Sequence, residues 1–222
     1  WGGGVRSGGR YDPVADSWTP TSLTGAPSGR RQHTAVWTGN LMIVWGGTDG
    51  SPTSDFNDGG RYDPATDRWS PTATLGAPIP RRDHSAVWTG SLMVIWGGAR
   101  GGGADSHYLN SGGRYDPATD RWTSTSSMYA PWWRSGHTAV WTGSLMVIWG
   151  GLGRSFPSGG YPVNDGGLYD PTTDSWKPTS IEGAPAARSG HTVVWTNTAM
   201  IVCGGGTNTG GLYSTLSLYV KN

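Results

Sequence analysis

The apolar positions of this chain come in short runs at fixed intervals. Leu145-Met-Val-Ile-Trp149 is an unbroken apolar run closed by Gly150-Gly151. A run of this length, bounded by turn residues, predicts a strand buried on both faces. Ahead of it stands His137-Thr-Ala-Val-Trp141, which predicts a second strand. Thr142-Gly-Ser144 between the two is a hairpin signal. Nearly the same words recur at 30–47, 81–98 and 188–205. The chain is a tandem repeat, and the repeat dictates the fold.

Each unit carries four landmarks. The first is the His strand, at His33, His84, His137 and His191, spaced 51, 53 and 54 residues apart. The second is the apolar strand ending in diglycine, at Gly46, Gly97, Gly150 and Gly204. The third is a Tyr strand, at Tyr11, Tyr62, Tyr115 and Tyr169. The fourth is a Trp strand at Trp18, Trp69, Trp122 and Trp176. Four short strands at a period near 50 predict propeller blades. Asp63-Pro-Ala-Thr-Asp67 and its counterparts join the third and fourth strands. Pro presets φ there, and Asp accepts from nearby backbone N–H groups. Gly-Ala-Pro segments lead across to the next unit.

These units resemble kelch repeats. The resemblance rests on the diglycines, on Tyr–Trp pairs such as Tyr62 and Trp69, and on the Arg-x-x-His opening, as in Arg81 and His84. It covers essentially the whole chain. It implies an all-β fold, a kelch-type β-propeller of four-stranded antiparallel blades. The first strand of each blade would line a central channel and the fourth would be outermost. The diglycines would sit where a strand bends and packs closely, with Tyr and Trp between neighbouring blades. The landmarks divide a single domain, 1–222, into a partial blade 1–29, whole blades 31–80, 82–133 and 135–187, and a partial blade 188–222. In the last unit a third strand is expected at Leu216–Val220, with Tyr219 in the Tyr series; Gly211-Leu-Tyr213 is a competing match. Opening at Trp1-Gly2-Gly3, inside a repeat, predicts a segment of a longer protein. Both partial blades carry a Tyr strand, so they do not merge into one. Open blade edges predict further blades or an oligomer formed by edge pairing.

Composition changes this picture in a few respects. The 38 Gly and 15 Pro suit many tight turns. A net charge of +1 gives no electrostatic case for nucleic acid or an anionic membrane. No apolar run is long enough to span a bilayer, so no membrane insertion is expected. The single Cys203 excludes an internal disulfide and a Cys-rich metal site. It stands where the other repeats have Trp, and is expected to be a small buried residue. Low charge with much Ser, Thr and Gly fits an extracellular or cell-surface protein. The expected source is bacterial.

The candidate chemistry is that of binding. Arg30, Arg81, Arg134 and Arg188 stand three residues before each His, at one mouth of the channel. A ring of Arg can hold carboxylate, phosphate or acidic peptide. The alternative is that each pairs with an Asp or with carbonyls of its own blade. The four His are read as hydrogen-bonded structural groups: no metal and no cofactor are expected. Departures from the repeat are more specific. One crossover becomes Met128-Tyr-Ala-Pro-Trp132-Trp133, and paired Trp could stack on a sugar or anchor a protein. The loops 48–58, 99–111 and 152–165 vary, and emerge on one face. They hold Phe56, then His107 and Tyr108, then Phe156 and Tyr161. No nucleophile elbow or phosphate loop is present. The resemblance extends to galactose-oxidase-type enzymes, which use copper and a Cys-linked Tyr, but Cys203 lies in a strand slot. The expectation is a non-catalytic binding or scaffold propeller with a protein partner. Its alternatives are glycan binding, a structural subunit of an extracellular assembly, or part of a larger galactose-oxidase-like enzyme.

Overall fold

A computed structural model describes residues 2–51, 54–101, 107–153, 160–206 and 210–214. Three four-stranded antiparallel sheets form its body. From inside to outside the first holds Thr34–Trp37, Met42–Trp45, Gly59–Asp63 and Arg68–Pro71. The second holds Ser85–Trp88, Met93–Trp96, Gly112–Asp116 and Arg121–Ser124. The third holds Thr138–Trp141, Met146–Trp149, Gly166–Asp170 and Ser175–Pro178. A leading sheet pairs Gly9–Asp12 with Ser17–Pro20, and a trailing sheet pairs His191–Trp195, Ala199–Gly204 and Gly211–Ser214. The innermost strands touch in succession, which sets the sheets as consecutive blades of a propeller.

The apolar second strand does what its pattern dictates. Met146 to Trp149 are all buried, while Leu145 lies half-exposed in the turn. The strand is sandwiched because each blade packs on the next. Val36, Ile43 and Trp45 of the first blade bury against Met93, Ile95, Tyr115 and Trp122 of the second. Trp45 meets Trp122 at 5.2 Å between ring centroids, and Trp96 meets Trp176 at 5.3 Å. Within a blade Tyr62 lies opposite Trp69, Tyr115 opposite Trp122, and Tyr169 opposite Trp176.

Polar ties reinforce each joint. Trp69, Trp122 and Trp176 donate their indole N–H to Ser22 O, Ala73 O and Ser126 O of the preceding crossover, each at 3.0 Å. Asp67 accepts from the Tyr62 hydroxyl at 2.6 Å and from Ser22 N at 2.9 Å. Asp120 and Asp174 repeat this arrangement with Tyr115 and Tyr169. The diglycines have a steric reason. Gly46 has φ +69°, and a Cβ there would lie 2.7 Å from His84 Cε1 of the next blade. Only glycine combines that backbone with that approach.

Two expectations are corrected. The third strand of the trailing blade is Gly211–Ser214, with Tyr213 opposite Met200 as Tyr169 is opposite Met146. The competing match therefore takes the Tyr position, and Leu216–Val220 with Tyr219 lies outside the described residues. Cys203 is exposed, not buried. It sits opposite Thr192 as Trp149 sits opposite Thr138. Trp149 is covered by the trailing blade, whereas no described sheet follows to cover Cys203. Trp18 shows the same effect at the leading sheet: it is exposed, while Trp69, Trp122 and Trp176 are buried.

Candidate interaction face

The loops between second and third strands and the crossovers between blades lie on one face. The crossovers are pressed onto it by proline. A Cβ on Gly60, Gly113 or Gly167 would lie 2.5–2.7 Å from Cγ of Pro27, Pro78 or Pro131. Short ladders then tie the loops down. Arg134–Ser135 pairs with Leu152–Gly153, which pairs with Tyr161–Pro162, and Ala99–Arg100 pairs with His107–Tyr108. Leu109 bridges to Arg134, linking the second blade's loop to the third blade's entry.

The four arginines do not present themselves to a ligand. Arg30, Arg81, Arg134 and Arg188 are at most 1% exposed. Arg30 donates to Ser28 O, Gly46 O, Asp58 O and Asp58 Oδ1. Arg134 repeats this with Trp132 O, Gly150 O, Asp165 O and Asp165 Oδ1. In Arg81 the acid is replaced by Ser111, and burial without a carboxylate pushes its pKa down to about 10. Arg188 donates to Ala186 O and Gly204 O. Of the two readings of these arginines, pairing with an Asp and with carbonyls of the same blade is the one the structure shows, and the ring open to acidic ligands is corrected. The fork geometry of guanidinium is directed at carbonyls where the strand bends at diglycine, among them Asp58 O, which also accepts from Gly46 N.

The histidines latch blade to blade. His84 Nε2 lies 2.7 Å from Thr34 Oγ1, His137 Nε2 2.9 Å from Ser85 Oγ, and His191 Nε2 2.7 Å from Thr138 Oγ1. Each ring stands edge-on to the preceding blade's Trp45, Trp96 or Trp149. Burial, with Arg134 and His191 nearby, pushes the His137 pKa down to about 3. His84 is pushed well below its ordinary value, again chiefly by burial. Among the described residues no group of three or more His, Cys, Asp or Glu could hold a metal.

The remaining candidates divide. Phe56 is half-buried beneath the Arg30 guanidinium, 4.6 Å from its centroid, and serves the scaffold. Phe156 lies outside the described residues. His107 is exposed and Tyr108 half-buried at the edge of its hairpin. The Tyr108 ring reaches the next blade's loop, where a Cβ on Gly160 would meet it at 2.5 Å. Trp132 and Trp133 are 52% and 44% exposed, with their rings nearly perpendicular at 78° and 5.5 Å. Tyr161 is half-exposed on the outer strand of the same ladder, separated from Arg134–Ser135 by Leu152–Gly153. Tyr108, Trp132, Trp133 and Tyr161 thus belong to the loops and crossover tied together by Leu109–Arg134 and Gly153–Tyr161. Sequence reasoning passed over Tyr129. Aligning the Ala-Pro pairs would have flagged it, since Gly25, Gly76 and Gly183 fill the same slot.

Comparison with known proteins fits this geometry. A family model described as the KLHDC2/KLHL20/DRC7 Kelch-repeats domain matches residues 32–221. Kelch domain-containing protein 3 of Homo sapiens is 27% identical over 185 residues, covering 78% of this chain and 47% of that protein. Kelch-like protein 25 of Xenopus tropicalis is 30% identical over 176 residues, covering 79% and 27%. Kelch-like protein terF of Aspergillus terreus is 31% identical over 125 residues, covering 52% and 26%. The chain spans about half the length, or less, of these curated relatives. All three come from eukaryotes and lend no support to a bacterial or secreted origin.

Proposed function

Because this chain belongs to the kelch-repeat family, we propose that it is part of a non-catalytic protein-interaction propeller. Its partner docks on the face that carries the crossovers and the second-to-third-strand loops. The observation that carries this reading is the third blade's entry crossover. It exposes Met128, Tyr129, Trp132 and Trp133. Large aromatic side chains held in water by a rigid scaffold supply contact area at low entropic cost. A contiguous exposed patch of this kind marks an interaction surface.

The test is a pull-down comparing the chain with its Trp132→Ala/Trp133→Ala variant, after thermal unfolding has shown both to be folded. The variant should lose partners that the parent retains. Recovery of the same partners at the same strength would show that this face is not the contact surface.

A further inference from the structure

We draw no further inference here: the strongest candidate, the uncharged aromatic patch on the Met128–Trp133 crossover between the second and third whole blades, where Tyr129 stands exposed at φ +59°, carries nothing beyond the interaction reading because nothing in the structure shows what covers it.

Discussion

Acid should open this propeller at its blade joints, and the histidine latches set the size of the effect. His84 and His137 are buried and neutral, each wedged between a Trp of the preceding blade and a hydroxyl. The groups facing them are cationic or basic: Arg81, His33 and His137 for His84, and Arg134 and His191 for His137. A proton added to either ring has no carboxylate among these groups to meet it. His137 titrates at about 3 in the fold, against an ordinary 6.5 unfolded. Its folded pKa is depressed, so the unfolded state binds the proton first. The stability this His contributes is whole above pH 6.5 and drains as pH falls toward 3. At pH 4.5 the gap is about two pH units, which costs about 2.7 kcal/mol for His137. Burial lowers His84 in the same direction, so it adds to the loss. The His137 loss alone is a large fraction of the stability of many domains. Carboxylates add little above pH 4. Asp67, for instance, is held below the usual range by hydrogen bonds from Tyr62 and Ser22. Asp83, pushed up by burial, opposes the trend at a single site. The assay is guanidinium unfolding followed by Trp fluorescence at pH 7.5 and 4.5. His137→Gln should be less stable at neutral pH, yet lose about 2.7 kcal/mol of the parent's pH dependence between the two pH values. A parent midpoint that does not move between the two pH values would refute the reasoning.

Two further outcomes follow from the scaffold. Arg81→Met strips donors from Ile79 O, Gly97 O and Ser111 O in a buried site, and should cost about 3 kcal/mol in calorimetric unfolding. A loss below about 0.5 kcal/mol would mean these carbonyls find water instead. Gly167→Ala puts a Cβ 2.5 Å from Pro131 Cγ without any left-handed backbone to strain. It should cost about 1–3 kcal/mol by sterics. An unchanged Tm would show that the crossover is not pressed on the third strand.

The fold was legible because a repeat multiplies each weak signal. One Thr-Gly-Ser is a poor predictor; the same hairpin before every diglycine is a strong one. Blade order, hairpins and the Asp-Pro turns could all be read this way. The misreadings came where repetition ended or misled. Cys203 inherits a Trp slot, but burial depends on the next sheet and not on the slot. Tyr219 kept the spacing, whereas Tyr213 kept the register opposite Met200. The arginines illustrate a different limit. Sequence gives their period but not which way a guanidinium turns, and here it turns inward to carbonyls. Tyr129 was missed because φ is invisible until siblings are aligned on a neighbouring landmark, the Ala-Pro pair.

Repetition also separates scaffold from function. What recurs in every blade, such as Arg81, His84, Tyr62 and Trp69, is buried and hydrogen-bonded within or between blades. A partner cannot touch such residues without unmaking a joint. What breaks the repeat is exposed. Trp132 and Trp133 stand where the other crossovers have Ser28-Gly29, Ile79-Pro80 and Ala186-Ala187. Tyr129 stands where three glycines would be easier. None of these three is needed to close a blade, because the sibling crossovers pack the same proline on the same glycine without them. Residues that cost stability, or add none, and that face water are the ones whose presence calls for a ligand. On that argument, activity should be sought at a single crossover, between the second and third whole blades, rather than around the ring of repeated side chains.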